Sequence, residues 1–349
     1  MSAAPRIAVV GTGANGAGIG ADLTRAGYDT TFIEQWPEHV AAMRAGPLRV
    51  ELPDAVQETD VRAFHLCDVA TMREPFDLVL VLVKAYDTRW ACELIKPLVK
   101  PDGLVVGLQN GMTVDDVAEI MGPERALGAV IEVAAALFEP GVVERHSPPE
   151  SSWFALGGLT PSATARAAEV AEVLGHAGTV EVVSDIRSAK WTKLVVNAGE
   201  LVPAAILGMA MHAAAALPGM REAMLRTCLE AARTAVAAGH RLVPIFGLSD
   251  LDPSDPEAFV ARLFDTVIGE YSLPHTRTTV LQDWMKGRRC EVEEINGLVV
   301  REQRRLGGRA PANERVVELA HRIEVGELEP HPDNARLLVD AAATATSPS

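Results

Sequence analysis

Cysteine is scarce in this 349-residue chain, and its four cysteines are scattered. None belongs to a C-x-x-C pair, so the sequence offers no zinc site of the usual spacing. We therefore expect reduced thiols, no bound metal and a cytoplasmic protein. The four are Cys67, Cys92, Cys228 and Cys290.

Positive charge and long apolar runs are also lacking. The chain has 47 acidic and 32 basic residues, which give a formal net charge of −15, and no basic patch stands out. Nucleic acid is therefore not an expected partner. No apolar run reaches the length of a membrane span, so a membrane is not expected either. The first strand begins within a few residues of Met1, which leaves no room for a signal peptide.

The chain does contain a glycine-rich turn in an informative context. An apolar strand at 6–10 precedes a G-x-G-x-x-G turn, a helix-compatible stretch at 17–26 follows it, and a second strand then ends in Glu34. This order is the fingerprint of a dinucleotide site, where the backbone approaches a pyrophosphate and a helix N-terminus attracts it. A βαβ unit that binds nothing is the alternative. The turn consists of Gly11, Thr12, Gly13, Ala14, Asn15 and Gly16.

Glu34 bears on the choice between NAD(H) and NADP(H). A carboxylate at this position can accept hydrogen bonds from the adenosine ribose hydroxyls, and it repels a 2′-phosphate. Residues 35–37 include no Arg or Lys to bind that phosphate, so the sequence favours NAD(H) and leaves NADP(H) possible. Alternatively, Glu34 is a solvated loop acid and an arginine from elsewhere, such as Arg44, meets the phosphate.

The distribution of apolar residues predicts three regions. Short apolar runs alternate with helical patterns over 1–183, which predicts a dinucleotide-binding α/β domain with a doubly wound parallel sheet. Apolar residues at helical spacing predict a helical domain at 184–327, and 328–349 is interpreted as a tail with a frayed end. Strands are predicted at 6–10, 29–33, 61–66, 77–83, 104–108 and 127–133, with shorter strands at 134–138, 142–146, 153–156 and 179–183, and late helices at 218–238, 255–271, 291–306 and 311–325.

Polar side chains interrupt the apolar scaffold at several places. Lys84 and Asn110 follow two predicted strands, at the sheet edge where doubly wound folds bind ligands, although Asn-Gly also favours a plain turn. Lys193 and Asn197 share one face of an otherwise apolar helix, where a lysine needs a partner or a role unless it extends to water. Glu291 lies among acids that open a late helix, and a dipole interaction explains such acids equally well.

In these motifs the chain resembles the ketopantoate reductases, also called 2-dehydropantoate 2-reductases. The resemblance covers nearly the whole chain, from Arg6 to about Glu324, and it rests on the order and spacing of several short motifs. They are G-x-G-A-x-G at 11–16, V-K-A at 83–85, Q-N-G at 109–111, P-G-x-V at 140–143, K-L-x-V-N at 193–197, L-Q-D at 281–283, E-x-x-x-I-N-G at 291–297 and P-x-N at 311–313.

The resemblance implies a Rossmann domain, an all-helical C-terminal domain, an active site in the cleft between them, and hydride transfer between a nicotinamide and a 2-oxo or 2-hydroxy acid. It implies that Lys193 is the proton donor, that Glu291 is its acidic partner and a substrate contact, and that Asn197 binds the substrate. Lys84 and Asn110 would lie by the nicotinamide ribose and the reacting centre. By family analogy a homodimer is also expected.

The chain departs from the family pattern at several positions. A serine that helps to hold the substrate carboxylate falls at Thr279, which keeps the hydroxyl, and two asparagines on the substrate side fall at Leu201 and near Met211. Glu34 differs from the NADP-type pattern that is usual in the family. These departures favour an NAD-linked enzyme for a bulkier and more hydrophobic 2-oxo or 2-hydroxy acid.

Three alternatives stay open at this point. The first is a 2-dehydropantoate 2-reductase proper that uses NADPH. The second is a β-hydroxyacid dehydrogenase-like enzyme, which shares the Rossmann start and a lysine–asparagine helix pair, although its glycine-rich substrate segment is not visible here. The third is a non-catalytic nucleotide-binding protein, which would have no need of Lys193 and Glu291.

Overall fold

The chain forms two compact units, Met1–Arg187 and Ser188–Ser349. The structure, a computed structural model, describes residues 4–248, 251–271 and 277–344. The division between the units lies inside a helix, shortly after the boundary proposed at 183. Among the described helices, none combines the length and the apolar character that a bilayer crossing requires.

Unit 1 alternates strands with helices, as the alternation of short apolar runs and helical patterns predicts. The described strands are β1 (Arg6–Val10), β2 (Asp29–Glu34), β3 (Leu48–Glu51), β4 (Val56–Thr59), β5 (Arg62–His65), β6 (Phe76–Val81), β7 (Val99–Gly107), β8 (Ala126–Glu132), β9 (Ala135–Ala136), β10 (Val142–Arg145), β11 (Trp153–Gly158) and β12 (Thr179–Val182). The helices are α1 (Ala14–Arg25), α2 (Pro37–Ala45), α3 (Thr88–Ile95), α4 (Val114–Met121) and α5 (Pro161–Leu174).

Eight strands form the larger sheet, in the order β12-β11-β8-β7-β6-β1-β2-β5. β1 pairs in parallel with both β2 and β6, so the strand order reverses beside β1, where doubly wound sheets bind their ligands. The predicted doubly wound parallel sheet is confirmed. One detail differs, because β11 runs antiparallel to β8 and carries the parallel strand β12 beyond it.

A second sheet of four strands, β4-β3-β10-β9, encloses α1 on another side. α1 therefore contacts strands of both sheets. Arg145 of β10 is 1% exposed, and its guanidinium pairs with Asp22 of α1. The same guanidinium donates to the Ser147 and Ala177 carbonyls and to Ser152 Oγ, so the buried charge is well compensated.

Unit 2 is helical throughout its described part, which confirms the predicted class. A close approach of two of its helices depends on Gly199, because a Cβ there would lie 2.2 Å from the Cys228 sulfur. The helices are α6 (Ile186–Ile206), which begins at the end of unit 1, α7 (Met211–Ala215), α8 (Met220–Ala237), α9 (Pro256–Thr266), α10 (Thr279–Met285), α11 (Asn296–Arg305), α12 (Pro311–Glu324) and α13 (Ala335–Thr344).

Two late elements differ from the expectation. The helix predicted from residue 291 begins at Asn296, so Glu291 lies in the turn before α11 and not in a first helical turn. The region interpreted as a tail contains α13. Asn334 fixes the start of α13, because its amide donates to the carbonyls of Ile206 at 3.0 Å and of Glu329 at 2.9 Å. Residues 345–349 lie outside the described residues.

Candidate active site

Three loops of unit 1 meet at the carboxyl edge of the larger sheet, after β1, β6 and β7. Each is fixed to its neighbour by a main-chain hydrogen bond that continues the pairing of the strands. The bonds run from the Gly11 N–H to Ile33 O (2.8 Å), from the Leu82 N–H to Val10 O (2.8 Å) and from the Leu108 N–H to Val81 O (3.0 Å).

The three motif glycines of the first loop have different surroundings. Gly11 has a φ of 90°, and a Cβ there would lie 2.5 Å from the Val83 nitrogen. A Cβ on Gly16 would lie 2.1 Å from Gly11 O, so the start of α1 packs directly on the loop. Gly13 is exposed, and a Cβ there would meet no atom within 4 Å. Gly11 and Gly16 therefore serve internal packing, whereas Gly13 leaves open space at the surface of the loop.

The N-terminus of α1 fits a pyrophosphate. The helix begins at Ala14 with no side-chain cap and no acid in its first turn, so the dipole and the first N–H groups can attract an anion. Asn15 Oδ1 is buried and has no hydrogen-bond partner. The uncapped helix N-terminus and the open space at Gly13 suit the dinucleotide that the motif predicts, whereas Asn15 Oδ1 is an acceptor and adds nothing to phosphate binding.

Glu34 is held at the end of β2 and is only 5% exposed. Its Oε1 accepts hydrogen bonds from the backbone N–H groups of Gln35 at 2.9 Å and Trp36 at 3.0 Å. Its Oε2 accepts one from Thr12 Oγ1 at 3.3 Å. The carboxylate is thus fixed against the glycine-rich loop and does not extend into solvent.

His39 fastens the glycine-rich loop to the smaller sheet, a role that the sequence analysis missed. Its Nδ1 accepts a hydrogen bond from the Gly141 N–H at 2.9 Å, so the ring proton is on Nε2, which donates to Thr12 O at 3.0 Å. Burial lowers the pKa of His39, and the nearby Glu34 carboxylate opposes that shift only in part. The ring is therefore neutral at pH 7. The P-G-x-V motif, which contains Gly141, was the available signal.

The Q-N-G motif separates into a structural residue and a candidate ligand residue. Gln109 is buried, its amide donates to Thr88 Oγ1 at 2.9 Å, and its oxygen accepts from Thr113 Oγ1 at 3.2 Å. This side chain braces the loop after β7. Asn110 and Lys84 are each half-buried and follow β7 and β6 at the same edge of the sheet.

In unit 2 a polar stripe follows one face of α6. Lys190, Lys193, Asn197 and Glu200 are spaced by three, four and three residues, which places their side chains on the same side of a helix. Asn197 is 3% exposed and Glu200 is 1% exposed, while Lys193 is half-buried. Lys190 and Glu200 had no predicted role, although their helical spacing with Lys193 and Asn197 is visible in the sequence.

Asn296 joins the segment of Glu291 to α6. Glu291 is 3% exposed, and Asn296 is fully buried at the start of α11. The Asn296 amide donates to Ala198 O at 2.9 Å and to Asn313 Oδ1 at 3.0 Å. Because Ala198 directly follows Asn197, this side chain brings three separate motifs of the sequence together.

Thr279 Oγ1 and Glu294 Oε2 are among the buried polar atoms that have no hydrogen-bond partner in the described part of unit 2. Thr279 opens α10 behind Thr278, whose own hydroxyl caps the helix at the Leu281 N–H. Burial raises the pKa of Glu294, and the nearby Glu291 carboxylate raises it further. Such unsatisfied atoms are rare in folded proteins, so Thr279 Oγ1 and Glu294 Oε2 are candidates for contact with a ligand.

A doubly wound sheet whose first loop has the dinucleotide fingerprint, followed by a helical unit, is an architecture typical of two-domain dinucleotide-dependent oxidoreductases. Models of the ketopantoate reductase PanE/ApbA family match both units, the N-terminal model over residues 7–157 and the C-terminal model over residues 185–324. The chain belongs to the ketopantoate reductase family.

Individual relatives agree with this assignment. A 2-dehydropantoate 2-reductase of Archaeoglobus fulgidus is 28% identical over 92% of this chain and 98% of its own length. A PanE/ApbA family ketopantoate reductase of Ralstonia eutropha JMP134 has a TM-score of 0.76 at 28% identity, covering 92% of this chain and 98% of its own. D-mandelate dehydrogenase with NADH and anilino(oxo)acetate has the same fold, with a TM-score of 0.79 at 23% identity and coverage of 92% and 98%.

The comparisons confirm the class of enzyme. The protein is an NAD(P)-dependent oxidoreductase of the ketopantoate reductase family.

Proposed function

We propose that the protein transfers hydride between NAD(H) and a 2-oxo or 2-hydroxy acid that is more apolar than ketopantoate. The observation that carries the cofactor preference is the fixed carboxylate of Glu34. His39 beside it is neutral at pH 7, so it does not compensate the negative charge. A 2′-phosphate at this position would be repelled, whereas ribose hydroxyls can donate to the carboxylate.

Arg44 is a poor candidate for binding a 2′-phosphate. Its Nε donates to Ala63 O at 2.9 Å, and one of its terminal nitrogens pairs with Asp68 at 2.6 Å. Recruiting this guanidinium to a phosphate would break both interactions. The contacts of Arg44 therefore support NAD(H) over NADP(H).

In unit 1 the proposed roles concern the cofactor. The N-terminus of α1 and the open space at Gly13 would hold the pyrophosphate, and Glu34 would accept hydrogen bonds from the adenosine ribose. Lys84 and Asn110 would contact the nicotinamide ribose and the reacting centre. The bound nicotinamide supplies the hydride in reduction and accepts it in oxidation.

In unit 2 the proposed roles concern the substrate. During reduction, negative charge develops on the carbonyl oxygen, and the ammonium group of Lys193 would stabilise that charge and transfer its proton to the oxygen. In oxidation the amine would take the proton back from the hydroxyl. Glu291 would be the acidic partner of Lys193 and a substrate contact, and Asn197 would bind a polar group. The unsatisfied Thr279 Oγ1 would donate to the substrate carboxylate.

The expected substrate follows from the positions that differ from the family pattern. Leu201 stands where the family has one asparagine on the substrate side, and a second such asparagine falls near Met211, which is 7% exposed. The same fold accommodates NADH and anilino(oxo)acetate in D-mandelate dehydrogenase. Both points support a 2-oxo acid with a bulky apolar substituent.

A second candidate is 2-dehydropantoate reduction with NADPH. The curated relatives favour it, because proteins of this name from Archaeoglobus fulgidus and from Halobacterium salinarum are 28% and 29% identical to the chain. Under this alternative the fixed Glu34 carboxylate would have to tolerate a phosphate.

A panel of 2-oxo, 2-hydroxy and 3-hydroxy acids, including ketopantoate, assayed with NADH/NAD and with NADPH/NADP, distinguishes these functions. We expect kcat/KM to be at least about tenfold higher with NADH than with NADPH, and highest with branched or aromatic 2-oxo acids. A clear preference for NADPH and ketopantoate would contradict the proposal. Turnover of 3-hydroxy acids would support a β-hydroxyacid dehydrogenase, and tight NADH binding without any turnover would support a non-catalytic protein.

We also propose a cytoplasmic homodimer, because the scattered cysteines favour a reducing compartment and family analogy favours a dimer. Light scattering on the purified full-length protein checks the oligomeric state, because a dimer has twice the mass of the 37.2 kDa chain.

A further inference from the structure

Phe246 has an unusual backbone conformation. Within residues 4–248, 251–271 and 277–344, it is the one non-glycine residue with a positive φ, at 61°. This left-handed region is unfavourable for a bulky side chain, and such strain persists only where the surroundings impose it, often at functional sites. The side chain is 6% exposed, and its ring centroid lies 4.7 Å from Lys193 Nζ. The strained residue therefore carries the ring that contacts the predicted catalytic lysine.

The segment that leads to Phe246 is fastened to the same helix as Lys193. Residues 240–243 contact α6 through one aromatic stack and two hydrogen bonds, so the ring of Phe246 is supported by the helix that it faces. The contacts are the His240 ring on Trp191 (centroids 5.5 Å apart, planes at 27°), the Arg241 N–H to Ser188 Oγ (3.0 Å) and the Val243 N–H to Thr192 Oγ1 (3.1 Å).

We propose that Phe246 is a positioning residue, whose ring holds the ammonium group of Lys193 in the orientation that proton transfer needs. The side chain of lysine is flexible, so holding its Nζ atom at one position costs rotamer entropy. The face of an aromatic ring attracts an ammonium group and so restricts the stem in advance. The inference rests on the proposed role of Lys193 as proton donor and acceptor.

The chemistry of proton transfer limits how much the Phe246 ring can contribute to kcat. The ring attracts the charged form of the lysine, so the attraction weakens once the proton has moved to the substrate oxygen. We therefore expect the ring to contribute less to kcat than the lysine itself.

Substitutions at Phe246 separate the effect of the ring from that of packing. Phe246→Leu should lower kcat by between about 3-fold and about 30-fold and leave the Kd for NADH unchanged, whereas Phe246→Tyr should keep kcat within about twofold. Phe259→Leu is the matched control, because Phe259 is 1% exposed on α9 and belongs to no proposed site. The control should lower the melting temperature without changing kcat. If Phe246→Leu does not fold, Phe246→Met takes its place.

A double-mutant cycle with Lys193→Ala tests whether the ring acts through the lysine. In the Lys193→Ala background, Phe246→Leu should change the residual rate by less than about twofold, because no ammonium group remains to be held. An equal fall in both backgrounds would overturn the positioning role, and so would full kcat in Phe246→Leu alone. Normal kcat in Lys193→Ala alone would instead remove the proposed proton donor, so the two failures can be told apart.

Discussion

Unit 1 presents mostly backbone to its proposed ligand, whereas unit 2 presents side chains. For the pyrophosphate, unit 1 offers the first N–H groups of α1 beside the open space at Gly13, and even the Glu34 carboxylate is held by two backbone N–H groups. Lys84 and Asn110 are the side chains that unit 1 would add at the nicotinamide end. In unit 2 the candidate groups are Lys193 and Asn197 on α6 and Glu291 in the turn before α11. The first kind of site is sensitive to an added Cβ, and the second is sensitive to truncation of a side chain.

Truncation of Lys193 is the strongest test of the side-chain site. Lys193→Ala should lower kcat by at least about a hundredfold, because a positioned proton donor typically contributes that much or more. Steady-state kinetics measure the fall, and NADH titration should show unchanged binding. Lys96→Ala, at an exposed lysine of unit 1, is the control and should change neither quantity. Near-normal kcat in Lys193→Ala would remove this residue from the proposed role.

Two glycine substitutions test the backbone site. Gly11→Ala should destabilise the protein by about 2 kcal/mol or more, because of the positive φ and the contact with the Val83 nitrogen. Gly13→Ala adds its Cβ to open space, so it should leave the melting temperature unchanged and weaken NADH binding at least about tenfold. Thermal unfolding and NADH titration measure the two effects. Normal NADH affinity in Gly13→Ala would place the pyrophosphate elsewhere.

Substitution of Asn296 tests whether the candidate groups of unit 2 depend on the buried hydrogen bonds that connect α11 to α6 and α12. Asn296→Ala removes the bonds to Ala198 O and Asn313 Oδ1, which should cost about 1–3 kcal/mol of stability and lower kcat, with NADH binding unchanged. Asn334→Ala is matched, because Asn334 is also buried in unit 2 and donates to two carbonyls. It should destabilise to a similar degree without lowering kcat. Equal kcat in the two variants would make Asn296 purely structural.

The neutral ring of His39 predicts a small pH effect in unit 1. Its folded-state pKa lies below the ordinary value of 6.5, so below that pH the unfolded chain binds the proton more readily. The contribution of His39 to the free energy of unfolding should therefore fall as the pH drops from 6.5 towards the lowered pKa. The slope should be no more than about 1.4 kcal/mol per pH unit.

Denaturant unfolding between pH 7 and pH 5 measures this slope. His39→Gln cannot titrate and should lose the contribution, whereas His212→Gln, at an exposed position of α7, should keep it. An unchanged slope in His39→Gln would mean that other groups cause the acid sensitivity.

Local patterns in the sequence predicted the larger sheet, because each of its strands is a short apolar run between helical patterns. They did not predict the β3–β4 hairpin, nor that β3 pairs with β10, because pairing between Arg49 and Val142 leaves no local signal. The predicted start of α11, at residue 291, was also wrong, because the helix begins at Asn296. Ile295 has φ −109° and ψ −88°, which ends the turn before the helix although the apolar spacing continues through it.

The candidate site was predictable to a similar extent. Helical spacing placed Lys193 and Asn197 on one face, and the strand pattern placed Glu34 at the end of β2. The spacing could not show that backbone N–H groups hold the Glu34 carboxylate, nor that Phe246 lies against Lys193, because both depend on tertiary contacts. The family and the class of enzyme follow from the comparisons.

The enclosure of α1 between two sheets sets an order for folding during synthesis. Asp22 and Arg145 pair across 123 residues of chain, and the sheet that covers α1 is complete only when β10 has joined it. The glycine-rich loop leaves the ribosome early, yet a nascent chain that ends before Arg145 would leave the Asp22 carboxylate with Arg25 of the same helix as its one cationic partner among the described contacts. Cofactor capture is therefore expected to wait until the ribosome has passed this arginine, and truncated N-terminal fragments should be prone to misfolding.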